Sequence, residues 1–156
     1  MKDGTMKMRL KNQSGASVVE FAFVLPLLLV IVFGIVEFGT LLYNQQVITN
    51  ASREGARAGI VARVPRLLPS GGSPCTYPPS SIDAVVKCYS LNHLITFGST
   101  NSPPTTLVDG YASGALFGTD LKVTVNYTFE FLVIPNFIPG INKLRTMKAE
   151  TLMKYE

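Results

Sequence analysis

The feature that most constrains this chain is the stretch FAFVLPLLLVIVFGIV, which runs from Phe21 to Val36 without a polar side chain. Joined across Glu20 to Ala16–Val19 it reaches spanning length, since about 20 apolar residues cross a hydrocarbon core of about 30 Å. A buried core helix is the competing reading, but a helix apolar on every face has no place in a small domain. The segment therefore reads as a transmembrane helix. Pro26 and Gly34 do not oppose this, because packing in a membrane can satisfy the backbone groups they free.

What remains of the 156 residues is enough for one small exported domain with a thin core. The formal net charge of +4 is concentrated ahead of the span, where Lys2, Lys7, Arg9 and Lys11 oppose only Asp3. That asymmetry places the N-terminus in the cytoplasm and the C-terminus outside it. It also leaves no broad basic surface for nucleic acid; Arg53, Arg57, Arg63 and Arg66 lie on or near one helix and read as a solvated face. A secretory signal peptide would be cut after the apolar run, yet the chain continues as EFGTLLYNQQ, a helix carrying on into water.

Glu20 interrupts the apolar segment near its start, where an ionised carboxylate costs roughly 3 kcal/mol or more unless it reaches the interface or finds a partner. Interfacial snorkelling is one explanation. The other comes from the residues around it, which carry a resemblance. Gly15-Ala16-Ser17-Val18-Val19-Glu20-Phe21 resembles a prepilin-peptidase processing site, in which cleavage follows a glycine and a glutamate stands five residues into the mature chain. Together with Pro26, Glu37-Phe38-Gly39 and Gly55-Ala56-Arg57, the ordered set is similar to the TadE-like minor pilins, or pseudopilins, of the tight-adherence (Tad, Flp) pilus system.

The resemblance implies cleavage between Gly15 and Ala16 by prepilin peptidase, an assembly role for Glu20 and Phe21, and other pilins and pilus components as partners. It implies a bacterial inner-membrane protein. Cleavage would remove the anchoring charges and create an α-amine near the membrane face, which a Glu20 carboxylate on a neighbouring subunit could neutralise; such a pair selects axial register, because an unpaired, partly buried charge is penalised heavily.

Beyond the membrane, helical periodicity continues to about Ala62 and Pro65 ends it. A helix from Ser17 to Ala62 is roughly 70 Å long. Ala51, Gly55 and Gly59 recur every four residues and let another backbone approach, either the chain's own domain or a neighbouring helix. Residues 65–79 and 98–104 read as loops, and SSIDAVVKCYSLNHL between them as a short helix capped by Ser80 or Ser81.

Leu121 to Phe131 alternates apolar and polar residues strictly, the pattern of a strand with one wet face. The LVIPNFIPGINK that follows is a connection, either folded onto the sheet or touching lipid or another subunit. Residues 146–156 fit strand or helix; the strand is preferred, antiparallel to 121–131. The expected fold is α+β: a leader at 1–15, a membrane helix at 16–38, its exported continuation at 39–64 and a small domain with an antiparallel sheet at 65–156.

Cys75 and Cys88 close a short proline-containing loop and are expected to form a disulfide, with a pair of free thiols as the alternative. His93 is the only histidine and has no nearby ligand or carboxylate pattern. No nucleophile motif, phosphate loop or metal cluster is present in the sequence, so no cofactor, metal or small-molecule substrate is expected. Glu20 and Glu37, about 25 Å apart on one helix, are no acid/base pair. The leading function is a minor pilin or pseudopilin that supports pilus assembly. The alternatives are an uncleaved single-pass membrane-anchored binding protein and a small membrane-tethered enzyme.

Overall fold

The computed structural model describes residues 14–61, 67–97, 103–111, 117–133, 140 and 142–155. The first element, α1, runs from Ser14–Ile60 as one 47-residue helix with Pro26 inside it, a length of about 70 Å. A second helix, α2, covers Ile82–His93. Three strands follow: β1 at Thr105–Asp109, β2 at Asp120–Glu130 and β3 at Leu144–Lys154. They form an antiparallel sheet in the order β1-β2-β3. The α+β class expected from the sequence is the one observed.

The alternation in β2 sorts its side chains as expected. Leu121, Val123, Val125, Tyr127 and Phe129 are buried, on the face packed against α1, and share one core with Ile82 and Val86 of α2. β3 pairs with β2 along its whole length, from Asp120↔Lys154 to Glu130↔Leu144. The strand alternative for the C-terminus is therefore the correct one: Met147 and Ala149, opposite Tyr127 and Val125, join the same core. A helix here would have left the inner face of β2 half covered.

β1 is not among the elements expected from the sequence. It has five residues, pairs only with β2 from Thr105↔Asn126 to Asp109↔Lys122, and is too short to display a period against its proline-rich surroundings. Gly110 ends it with φ 76°, and a Cβ there would run into the carbonyl oxygen of Asp120. Only glycine combines that backbone with that approach.

α2 begins where its cap predicts. Ser81, with φ −148° and ψ 162°, accepts the N–H of Ala84 on its hydroxyl oxygen at 3.0 Å, an N-cap of the kind worth about 1 kcal/mol. Its hydroxyl donates to the carbonyl of Gly71. The N–H of Ile82 donates to the Leu68 carbonyl at 2.8 Å, so the incoming loop is clipped to the start of the helix. The Cys75–Cys88 disulfide, with Cα atoms 4.8 Å apart, ties the same loop to the middle of α2.

From Glu37 onward α1 is the central helix of the domain, packed against α2, β2 and β3. Val47, Ile48, Ala51, Ser52, Gly55, Ala56, Ala58 and Gly59 are buried, a stripe at helical spacing. On the small-residue face, Ala51, Gly55 and Gly59 point into the chain's own domain. A Cβ on Gly55 would lie 2.5 Å from Val86 Cγ2, and one on Gly59 would lie 2.6 Å from Leu121 Cδ2 and 2.7 Å from Ile82 Cδ1. Within the described residues the helix ends at Ile60, and the expected stop around Ala62–Pro65 lies outside them. Most of the connection after β2 also lies outside, at 134–139 and 141.

Candidate membrane and assembly site

The two halves of α1 differ in what they touch. Val18, Val19, Phe21, Phe23 and most of the large apolar residues from Val24 to Val36 point outward, with none of the described residues packed over them. The most apolar 18-residue window has a mean hydropathy of 2.8, and 0% of it is buried. So much exposed apolar surface on one helix is a candidate membrane anchor rather than a protein core.

The change comes at Val36/Glu37. Glu37 is only 4% exposed, although it is ionisable and directly follows the apolar run. Its carboxylate accepts the backbone N–H of Val133 at 2.7 Å and that of Leu132 on the same Oε1. Two amide dipoles converging on one oxygen replace the hydration that burial removes. The effect is to pin the end of β2 to the point where the apolar helix stops.

About two and four turns further on, polar side chains repeat this clasp. Asn44, fully buried, donates from Nδ2 to the carbonyl of Ile95 at 2.6 Å and accepts the Ile95 N–H on Oδ1 at 3.0 Å. Gln45 donates to the carbonyl of Lys148 at 3.1 Å, and the Ser52 and Thr151 hydroxyls lie 2.7 Å apart. The NQQ stretch reads in the sequence as helix entering water, whereas Asn44 and Gln45 hold the helix to the chain after α2 and to β3. One signal was available: Asn44 stands four residues before Ile48 and seven before Ala51, on the row that packs inward. Glu37 had none, because its partners are some 95 residues away.

The residues expected at the processing boundary lie at the opposite end of α1. Gly15, Ala16, Glu20 and Phe21 are exposed, and a Cβ on Gly15 would meet nothing within 4 Å. Glu20 has no ion-pair or hydrogen-bond partner among the described residues, and the leader charges at 2, 7, 9 and 11 lie outside them. Gly15, Ala16, Glu20 and Phe21 are thus close in the chain but packed against no other described element. With continuous helix between them, Glu20 and Glu37 are far apart, as the spacing predicts.

Charge elsewhere is arranged for the sheet surface. Glu150, on the wet face of β3, meets Lys148 at 2.6 Å and Lys122 at 3.2 Å. Their hydrogen bonds, Lys148 first, hold its carboxyl at about 2, well below the usual carboxylate range. Burial pushes the Tyr127 phenol up. His93 closes α2, stacked on Tyr89 with ring centroids 4.4 Å apart and its Nδ1 2.7 Å from the Tyr89 carbonyl. It occupies the last position of the helix. Among the described residues no group of three or more His, Cys, Asp or Glu side chains is placed to hold a metal ion.

Residues 15–57 match a family model described as TadE-like protein. The matched segment begins at Gly15, crosses the exposed apolar half of α1, passes Glu37 and Asn44 and ends at Arg57. No curated protein and no solved structure matches the chain.

Proposed function

Starting from a TadE-like segment at residues 15–57, which indicates a membrane protein associated with Tad pili, we propose that the chain is a minor pilin or pseudopilin of that system. It sits in the inner membrane through residues 16–38 with its domain exported. Prepilin peptidase cuts it between Gly15 and Ala16, and Glu20, followed by Phe21, contacts neighbouring pilins. The observation that carries this reading is the division of α1: one half forms the core of its own domain, while the other, with 0% of its apolar window buried, has no partner among the described residues. A helix of that kind is completed first by lipid and then by other helices.

Glu20 fits the second stage. On an isolated helix its carboxylate is a cost in hydrocarbon; beside the α-amine of a cleaved neighbour it becomes a register-setting contact. The role is one of assembly, without catalysis.

Intact mass and crosslinking test the two steps separately. Gly15→Lys places a long charged side chain where the peptidase requires a small residue, so the variant keeps its leader and stays in the membrane. Glu20→Ala leaves the scissile bond untouched, so it is cut but crosslinks poorly to other pilins. A wild-type protein that retains residues 1–15 in cells with active prepilin peptidase would rule out the pilin reading. Unchanged crosslinks in Glu20→Ala would reduce Glu20 to an interfacial residue.

A second reading, an uncleaved membrane-anchored binding protein, has one observation in its favour. An open groove of about 340 Å³ lies along α2, bordered by the disulfide, Tyr77, Tyr89 and His93. Retention of the leader would promote it.

A further inference from the structure

At the foot of the domain, beside the point where α1 leaves the apolar run, lies a hollow of about 430 Å³ lined by Phe38, Leu41, Phe131, Asn142, Leu144 and Arg145. Four of the six are apolar and the one charge is cationic. Arg145 stands opposite Phe129 in the register of β2 and β3, at the end of the sheet face that packs on the helices. Of the described lysines and arginines, Arg145 and Arg53 alone have no carboxylate partner among the described residues, whereas Lys143, one residue before the start of β3, is held by Glu130 at 2.8 Å.

The depth of this hollow follows from helix geometry. Phe38 and Leu41 come two and five residues after Val36, so they lie about 3 to 8 Å beyond the end of the apolar run. The polar headgroup layer of one leaflet is about 5 to 8 Å thick. The hollow is therefore level with lipid phosphates when the apolar segment spans the bilayer. Glu37 fixes that level, because its bonds to Leu132 and Val133 hold the end of β2 against the helix at the same height.

We infer that this hollow takes the headgroup of an anionic bilayer lipid, with the Arg145 guanidinium on the phosphodiester and Phe38, Leu41, Phe131 and Leu144 against the glycerol and the first methylenes. Arginine suits such a site because its planar fork matches phosphate oxygens in two-point contact and tolerates apolar neighbours better than an ammonium does. Docking of the foot on lipid would fix the tilt of the exported domain before assembly. The inference rests on the membrane-anchor reading, and the test separates the two.

Full-length protein with its disulfide intact is reconstituted into vesicles of phosphatidylcholine and phosphatidylglycerol. A fluorophore is attached at Asn142→Cys, on the rim of the hollow, or at Lys154→Cys, about 33 Å beyond Leu144 along β3. Headgroup-labelled quencher lipids should quench position 142 and leave 154 bright. Quenching at 142 should prefer labelled phosphatidylglycerol over phosphatidylcholine, and Arg145→Gln should reduce that preference about fivefold, with Arg145→Lys restoring part of it. Protein that resists alkaline carbonate extraction but shows no quenching at 142 would overturn the inference and leave the anchor standing. Release by carbonate would overturn both. Quenching with the same lipid preference in Arg145→Gln, or protection of 142 that rises with the protein-to-lipid ratio as a second copy would produce, would each refute the lipid assignment.

Discussion

The small residues of α1 offer a direct measure of how tightly the helix is seated, through Gly→Ala substitutions at positions 39, 55 and 59. In an exposed helix interior each exchange gains about 1 kcal/mol of helix propensity. Gly39 should show something near that gain, because a Cβ there meets nothing within 4 Å. At Gly55 the new methyl would stand 2.5 Å from Val86 Cγ2. Val86 is β-branched and held in one rotamer on α2, so it cannot swing aside and the backbones must part. Overpacking of that kind costs about 1 to 3 kcal/mol, so Gly55→Ala should be destabilising by up to about 2 kcal/mol net of the propensity gain. Gly59 has two close neighbours, Leu121 Cδ2 at 2.6 Å and Ile82 Cδ1 at 2.7 Å, but both are terminal methyls on side chains that can turn. Its net change should fall within about 1 kcal/mol of zero. The order of stability is thus Gly39→Ala, then Gly59→Ala, then Gly55→Ala, read from chemical denaturation of the detergent-solubilised full chain followed by near-ultraviolet circular dichroism. If Gly55→Ala proves as stable as Gly39→Ala, the helix does not pack on α2 as described, and this face is free for another subunit.

Asn44→Ala removes both bonds to the Ile95 backbone and should cost about 2 to 4 kcal/mol, with the Ile95 amide losing its protection from hydrogen exchange while β2 and β3 keep theirs. Reduction of Cys75–Cys88, thirteen residues apart, should destabilise the domain by about 3 kcal/mol in the chain-entropy model and loosen the Leu68–Ser81 clip first; an unchanged denaturation midpoint would show that the disulfide holds only a surface loop. Because the Glu150 carboxyl is held at about 2, below its ordinary value, its contribution is complete above the ordinary carboxylate range and is lost only as pH falls toward 2. A nuclear magnetic resonance titration should find that low midpoint, and Lys148→Ala should raise it; a midpoint in the ordinary range in the wild type would dismiss the three-charge cluster.

Patterns that depend on near neighbours in the chain were legible without coordinates. The apolar run, the alternation of β2 and the cap of α2 each follow from the local period of apolar residues or from a hydroxyl at a helix start, and both act within a few residues. The small-residue row was visible for the same reason. Its partner was not: spacing every four residues says that a backbone can approach, and only the positions of Ile82, Val86 and Leu121 say which one does.

The features that only the tertiary structure decided are those in which chain-distant groups exchange hydrogen bonds. Glu37 reads in the sequence as a charge stepping out of the membrane; in the fold it is buried, because amides of Leu132 and Val133 supply what water would have supplied. Asn44 reads as a polar residue on a solvated helix, yet it is fully buried against the backbone of Ile95. β1 has too few residues to carry a period and is a strand only because the edge of β2 is there to pair with it. Residue-level hydropathy determined where the candidate membrane anchor lies, because transfer into hydrocarbon is nearly additive along a helix. Where the domain begins on that helix was decided by satisfaction of buried polar groups, a property of pairs that no single position in the sequence displays.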